Sequence, residues 1–237
     1  MGNALEEHFG YLSDAVRRER FEGAVAAAVN PVDTVVDIGC GFGILGLMCL
    51  DAGASHVWGI DRSEAIEIAR ETMRRIGLAD RYTCLKETSF QAELPHKVDI
   101  VICDHVGYFG IDYGIIKLLD DARRRFLKPG GKVMPAQLIL QVAAVQSPEC
   151  RALAQAWASE PIRAEFRWLQ EYGVNSKHPR EFSKQELAAA PAELGRIDLR
   201  NDSPDLLAFT ARLEIDRTCE LDGLAGWFAC ADRSQAR

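Results

Sequence analysis

Residues 35–45 read Val-Val-Asp-Ile-Gly-Cys-Gly-Phe-Gly-Ile-Leu. A short apolar run rich in β-branched residues contains an acid, and glycines at alternate positions follow before a segment that suits a helix. Such a run predicts a strand buried in a parallel sheet. Glycines permit a tight turn and let a ligand approach the backbone, and the N–H groups that start the next helix point toward that ligand. The stretch therefore predicts a nucleotide-like cofactor site at the end of the first strand.

The segments around this stretch alternate between strand and helix patterns. Strands are expected at 34–38, 56–60, 81–85, 97–103 and 132–134, and helices at 3–29, 44–52, 64–76 and 114–126. Ser63 is the expected N-cap of the third helix, and Lys-Pro-Gly-Gly at 128–131 predicts a tight turn. Strand and helix in this alternation predict an α/β fold with a doubly wound, mostly parallel sheet.

The pattern becomes richer in strands after Pro135. Strands are expected at 137–146, 195–199, 206–215 and 223–230, with one helix near 149–159 and an irregular stretch at 172–183. Apolar and polar residues alternate in 208–215, which favours an antiparallel sheet with one wet face. We therefore expect three domains: an N-terminal helical segment (1–30), a cofactor-binding domain (31–135) and a smaller, mainly antiparallel β-rich domain (136–237).

Composition excludes several classes of function. The chain has 237 residues, 48% of them hydrophobic and 27% charged, with a formal net charge of −7. This acidic balance argues against strong nucleic-acid binding. No apolar run is long enough to span a membrane, and the N-terminus lacks a secretory pattern. The seven cysteines form no Cys-x-x-Cys pair and the five histidines show no metal-ligand spacing. We expect free thiols, a cytoplasmic location, no metal and no membrane partner.

Asp61 ends the predicted second strand and follows Gly39 at the spacing of a ribose-binding acid. Alternatively, Asp61 stands at the start of the next helix because the helix dipole favours an acid there. The turn is not a P-loop, because no Gly-Lys-Ser/Thr follows, and it lacks the two-residue gap of the dinucleotide fingerprint. An NAD-dependent oxidoreductase is therefore the weaker reading of this site.

Together with Val-Trp-Gly-Ile-Asp at 57–61 and Leu-Lys-Pro-Gly-Gly at 127–131, the glycine stretch resembles class I S-adenosylmethionine (SAM)-dependent methyltransferases. The segment His-Phe-Gly-Tyr-Leu-Ser-Asp-Ala-Val-Arg at 8–17 is similar to the helical lid of the protein arginine methyltransferases. Cys-Asp-His-Val-Gly-Tyr at 103–108 is similar to that group's first acidic-loop motif, Ser-Glu-Trp-Met-Gly-Tyr. The resemblance implies a Rossmann-like sheet, a helical lid, a C-terminal barrel-like substrate domain and SAM as cofactor.

The resemblance also implies which residues contact SAM. In this interpretation Arg17 pairs with the carboxylate of the methionyl part of SAM, because a guanidinium fork suits a carboxylate. His8 contacts the same end of SAM. Asp61 holds the ribose hydroxyls. The other implied cofactor residues are Asp37, Gly39, Cys40, Gly41, Arg62 and Ser89.

The implied acceptor site departs from the family pattern. Asp104 stands where the family has the first of two glutamates that hold the substrate guanidinium. The second acid lies nine residues on, where this chain has Tyr113 with Asp112 beside it. His105 replaces the usual tryptophan and is able to accept a proton near pH 7. Asp104, His105 and Asp112 are the candidate catalytic residues. The alternatives are an Asp104 that caps the turn at 107–108 and a His105 bonded to loop backbone.

These features predict a SAM-dependent methyltransferase that acts on a nitrogen acceptor, a protein or free guanidino group. Two alternatives stay open: a small-molecule N- or O-methyltransferase with a changed acceptor, and a non-catalytic SAM-binding interaction module. The missing second glutamate, and the lack of the family's Thr-His-Trp loop, favour the small-molecule enzyme. A family-style homodimer also stays open, because the segment 174–183 is short where the family inserts its dimerisation arm. The chain stops soon after Trp227, which indicates a smaller barrel or an incomplete chain.

Overall fold

The computed structural model describes residues 2–204, 206–215 and 217–231. Met1 of the predicted N-terminal segment, and residues 205, 216 and 232–237 of the predicted C-terminal domain, lie outside the described residues. The chain divides into two compact units. The first contains the residues up to 138 together with 197–204 and 230–231, and the second contains 139–196 and 206–229.

The first unit contains a five-stranded sheet whose neighbouring strands all pair in parallel, in the order β3-β2-β1-β4-β5. Its strands are β1 (Thr34–Ile38), β2 (His56–Ile60), β3 (Tyr82–Leu85), β4 (Val98–Cys103) and β5 (Leu127–Met134). β1 is central, since Asp37 is in register with Gly59 of β2 on one side and with Ile102 of β4 on the other. The strand order reverses between β1 and β4, which is where ligands bind in doubly wound sheets.

Helices accompany this sheet along the chain: α1 (Gly2–Ser13), α2 (Ala15–Ala28), α3 (Ile44–Asp51), α4 (Ala65–Arg75) and α5 (Ile115–Phe126). β1 and β4 are buried along almost their whole length, as expected for strands covered on both faces. α4 and α5 each bury one apolar stripe; α4, for example, buries Ile66, Ala69 and Met73 against the core. The predicted α/β fold with a doubly wound parallel sheet is confirmed.

The single helix predicted at 3–29 is interrupted at Asp14. The carboxylate of Asp14 accepts a hydrogen bond from the backbone N–H of Arg17 at 2.9 Å and so caps the start of α2. Ser63 is not the N-cap of α4, because Glu64 occupies that position. The Ser63 hydroxyl instead donates to Asp61 and accepts the N–H of Ala65.

The turn predicted at 128–131 lies within β5, opposite an irregularity in the register of β4. Gly131 explains this arrangement, because a Cβ there would lie 2.8 Å from the backbone oxygen of Asp99. Without a side chain the backbone of β5 approaches β4 closely, and the strand continues to Met134.

The second unit carries most of a three-stranded antiparallel sheet in the order β7-β6-β8. Its strands are β6 (Gln137–Val145), β7 (Ala192–Asp198) and β8 (Gly223–Ala231), and its helices are α6 (Pro148–Gln155) and α7 (Gln170–Gly173), with 3-10 turns at Ala164–Leu169 and Lys184–Glu186. The helix predicted to Ser159 therefore ends earlier, and the irregular stretch predicted from Tyr172 begins inside α7. No helix in the described part of the chain is long and apolar enough to cross a membrane.

The strand predicted at 206–215 is wrong, since this segment forms only an isolated bridge between Ala189 and Ile215. Side chains of this segment contact the sheet instead, and Leu213 packs against the cluster that contains Ala144 of β6. A Cβ on Gly195 of β7 would lie 2.3 Å from the ring of Phe209, so the ring fills the space above this glycine. The alternation of apolar residues thus reflects one-sided packing without a backbone ladder.

Candidate functional site

A cavity of about 510 Å³ opens in the first unit where the carboxyl ends of its parallel strands meet. Its volume falls in the range of sites for small molecules and cofactors. All the residues predicted for the cofactor and acceptor sites line it except Arg17 and Asp112: His8, Asp37, Gly39, Cys40, Gly41, Asp61, Arg62, Ser89, Asp104 and His105. The fold thus brings together residues that the sequence separates widely.

Two imidazole rings lie against the glycine turn. A Cβ on Gly39 would lie 2.3 Å from Cε1 of His105, and a Cβ on Gly41 would lie 2.3 Å from Nε2 of His8. Both glycines have positive φ angles, +70° and +52°, which L side chains rarely adopt. The His8 ring also stacks on Phe42, with ring centroids 4.0 Å apart. The turn therefore needs glycine for its conformation and for the two rings packed on it.

Asp61 ties the end of β2 to this turn. Its Oδ2 accepts the backbone N–H of Gly41 at 2.9 Å, and its Oδ1 accepts the N–H and the hydroxyl of Ser63, both at 2.7 Å. A carboxylate has about four acceptor sites, so room remains for a further hydroxyl donor from the cavity. The carboxylate is thus held in a fixed orientation at the cavity wall.

Asp37 is buried beneath the turn, with 1% of its surface exposed. Its Oδ2 accepts the backbone N–H of Gly46 in α3 at 2.9 Å. Burial raises the pKa of Asp37 to about 8, with the negative charges of Asp104 and Asp61 acting in the same direction. Asp37 is therefore mainly neutral at pH 7 and joins β1 to α3.

Arg17 of α2 reaches the end of β4 and pairs with Asp104, with 2.5 Å between Nη2 and Oδ2. The guanidinium lies over the ring of Tyr11 at 4.5 Å and over Phe21 at 5.6 Å. The side chains of the pair are about 30% exposed. Sequence reasoning predicted a ligand carboxylate for Arg17 and missed this protein partner, since the two residues lie far apart in the chain.

The loop after β4 places Tyr113 on the cavity and keeps Asp112 out of its lining. Oδ2 of Asp112 accepts the backbone N–H of Phe109 at 2.5 Å. The Cβ of Asp112 lies 2.6 Å from the position that a Cβ on Gly107 would occupy. Asp112 was predicted as a catalytic candidate, but the structure fastens its carboxylate to the loop. The capping role considered for Asp104 thus belongs to Asp112.

Two aromatic rings lie close to Tyr113 at this end of the cavity. The Tyr113 ring lies 6.4 Å from the ring of His105 and 6.2 Å from that of Tyr108, both edge to face. Sequence reasoning noted Tyr113 only as a departure from a pattern; its place nine residues after Asp104 was the available signal. Within the described ranges, no group of three or more His, Cys, Asp or Glu residues is arranged to hold a metal.

A family model described as ribosomal protein L11 methyltransferase (PrmA) matches residues 23–171, which is more than half of the chain. The chain belongs to this methyltransferase family. Among curated proteins, the methyltransferase is 34% identical over 226 residues to protein arginine N-methyltransferase 1 of Schizosaccharomyces pombe, covering 89% of this chain and 63% of that protein. It is 36% identical over 149 residues to protein arginine N-methyltransferase 1 of Chlamydomonas reinhardtii, covering 60% and 43%.

Solved structures share the fold of the methyltransferase. The PRMT1 enzyme–prozyme heterotetrameric complex with AdoHcy from Trypanosoma brucei aligns with a TM-score of 0.74 and 24% identity, covering 83% of this chain and 63% of that one. Protein arginine methyltransferase 10 of Arabidopsis thaliana aligns with a TM-score of 0.70 and 24% identity, covering 81% and 62%. The predicted resemblance to class I methyltransferases of the arginine methyltransferase type is confirmed. The methyltransferase spans between 33% and 63% of the length of the first curated relatives that it matches.

Proposed function

We propose that this chain binds SAM in the cavity of the first unit and transfers its methyl group to a nitrogen acceptor, as an arginine methyltransferase-like enzyme. The observation that carries the proposal is the arrangement of Asp61 and Asp104. Asp61 follows β2 and Asp104 follows β4, which are the two strands that pair with β1. Both acids line one cavity. Asp61 suits a ribose diol, and Asp104 suits a nitrogen that bears protons.

The residues present fit SAM. The Arg17 fork has five N–H donors, and the hydrogen bond to Asp104 uses Nη2, so the remaining donors suit the methionyl carboxylate. Asp61 suits the ribose, and the segment after β3 forms a further wall of the cavity. When bound, SAM supplies the electrophilic methyl group. The binding residues proposed beside these are His8, Asp37, Gly39, Cys40, Gly41, Arg62 and Ser89.

The chain's own residues hold and orient the acceptor. Asp104, whose Oδ2 already accepts from Arg17, accepts hydrogen bonds from the acceptor nitrogen at its remaining acceptor positions. The His105 ring, packed on the glycine turn, takes a proton from the acceptor at one of its ring nitrogens. Alignment of the two reactants is the main contribution of the protein. We leave Asp112 out of this site, because the Phe109 N–H already fixes its carboxylate.

A small-molecule N- or O-methyltransferase is the second candidate, and Tyr113 favours it. A guanidinium held between two carboxylates is planar and doubly anchored, whereas this cavity offers Asp104 with the rings of His105 and Tyr113. The names of the curated relatives support a protein acceptor instead. The third candidate is a SAM-binding module without catalysis. Detection of methyl transfer would exclude this candidate and leave the two enzymes.

The test is methyl transfer from radiolabelled SAM to arginine-rich peptides, ribosomal proteins, free arginine and a panel of metabolites, alongside calorimetry with S-adenosylhomocysteine (SAH). Asp104→Asn is expected to bind SAH normally and to lose transfer by about 100-fold, in the range of positioned acid–base and hydrogen-bonding groups. Asp51→Asn, an exposed acid at the end of α3, is the matched control and should transfer normally. Normal transfer by Asp104→Asn would make Asp104 structural.

We also propose the division into an N-terminal lid (1–30), a SAM-binding domain (31–135) and a β-rich domain (136–237). A reducing, cytoplasmic location is proposed because the buried cysteines Cys40, Cys49, Cys84 and Cys103 are free thiols. Closure of the lid over SAM would exclude water from the reacting atoms. The mass of the protein in solution tests whether the chain forms a homodimer.

A further inference from the structure

Arg125 of α5 reaches the loop that follows β3. Its Nη1 donates to the backbone oxygen of Ala92 at 2.7 Å, and its Nη2 donates to the backbone oxygen of Ser89. Nε and Nη2 also bond both carboxylate oxygens of Asp121, one turn earlier on the same helix, at 2.7–3.1 Å. The guanidinium is thus clamped by Asp121 and spans two carbonyls of one loop.

This loop forms one wall of the cavity, whose lining includes Glu87, Thr88, Ser89 and Phe90. The loop turns on itself, since the N–H groups of Gln91 and Ala92 both bond the oxygen of Thr88. Arg125 is absent from the cavity lining, so any effect that it has on a ligand is transmitted through the loop. Charge-assisted bonds of this kind are among the stronger hydrogen bonds in proteins.

The strand order indicates which part of the ligand meets this wall. β3 lies beside β2, on the side away from β1 and β4. If Asp61 at the end of β2 holds the ribose and Arg17 beside β4 holds the methionyl carboxylate, the purine lies against the loop after β3. This step rests on the proposed function. Phe90 lines this wall and exposes 53% of its surface, which suits stacking on a flat ring.

We propose that Arg125, clamped by Asp121, is a positioning residue that fixes the purine-binding wall and sets the affinity for the adenosine half of SAM. Stacking and backbone hydrogen bonds to a purine depend on the position of the wall to within fractions of an ångström. Because the bond partners of Arg125 are main-chain oxygens, its role is independent of the side chains in the loop.

The test compares two probes by calorimetry, SAH and 5′-methylthioadenosine, which lacks the amino-acid half. Arg125→Gln is expected to weaken both by the same factor of about tenfold, since charge-assisted bonds to the wall are lost. Arg17→Gln should weaken SAH alone. Arg124→Gln is the matched control on the same helix, because its side chain is 60% exposed and it should bind both probes normally.

The kinetic readout separates positioning from a general structural role. Arg125→Gln should raise the KM for SAM by about tenfold and leave kcat within about twofold. Arg125→Lys keeps the positive charge on a single donor nitrogen and should recover part of the affinity, and Asp121→Asn should lose a smaller part. These two variants are also the test if Arg125→Gln unfolds.

Normal affinity for both probes in every folded variant would overturn the role of Arg125. A loss confined to SAH would overturn it as well, because the purine half is common to both probes. Failure of the unaltered protein to bind either probe would instead overturn the proposed function. The two failures are therefore distinguishable.

Discussion

Tyr113 lines the cavity, and the neighbouring Asp112 is bonded to the loop backbone. A side chain one residue along a loop points in another direction, so the nearest acid in sequence does not replace a missing one. On the proposed function, we expect the side chain at position 113 to influence which acceptors are methylated.

Tyr113→Glu is expected to add a second carboxylate to the cavity and to raise kcat/KM for guanidino acceptors by about tenfold, as one charge-assisted hydrogen bond provides. Tyr113→Phe keeps the ring and is the control, with little change expected for the same acceptors. The measurement is methyl transfer to arginine peptides at fixed SAM. An equal effect of both substitutions would show that the ring, and not the added charge, is responsible.

Asp37 predicts a pH dependence of stability. Its pKa is about 8 in the folded chain against a usual value of 3.8, because burial disfavours the charged form. Between these values the folded chain binds more protons than the unfolded chain, so the free energy of unfolding falls as pH rises, by up to about 1.4 kcal/mol per pH unit. Above about pH 8 this loss is complete.

Asp37→Asn keeps an acceptor for the Gly46 N–H and cannot ionise. Urea unfolding from about pH 5 to about pH 8 should show the stability of the natural chain falling relative to this variant. Parallel curves over this range would mean that Asp37 is already charged in the folded chain.

At the scale of the elements, the β1–turn–α3 unit depends on the glycine turn. Gly41→Ala introduces a Cβ at a φ of +52° and 2.3 Å from the His8 ring, and it should reduce SAH affinity by at least about 30-fold. Gly77→Ala is the matched control, since its φ is +75° with no atom within 4 Å of the new Cβ. It should lower stability by about 1 kcal/mol and leave binding unchanged. A similar loss of affinity in both variants would assign the effect to stability alone.

At the scale of the whole molecule, every residue that lines the cavity belongs to the first unit. SAH at about 100 times its dissociation constant should raise the free energy of unfolding by about 2.7 kcal/mol. Hydrogen exchange should show the added protection in the cavity segments of the first unit, with 139–196 unchanged. Asp61→Ala should abolish the stabilisation, and a retained increase in that variant would contradict the proposed ribose contact.

Most of the first unit could be predicted because its signals are local. The strand bounds 34–38 and 56–60 were predicted as the structure has them, from short apolar runs closed by turns. The strand predicted at 206–215 failed because the same alternation arises when Phe209 packs on Gly195 without a ladder. Periodicity reports which residues face the core, and it does not report whether the backbone pairs.

By itself, the sequence determined the β1–turn–α3 unit, the acid at Asp61 and the family resemblance, because strand propensity, glycine conformation and spacing are properties of short segments. Only the tertiary structure decided that Arg17 pairs with Asp104, that Tyr113 in place of Asp112 meets the cavity, and that Arg125 braces the loop after β3. These contacts depend on how loops and helices bring distant residues together. Side-chain direction in a loop is fixed by its main-chain bonds, which no local pattern specifies.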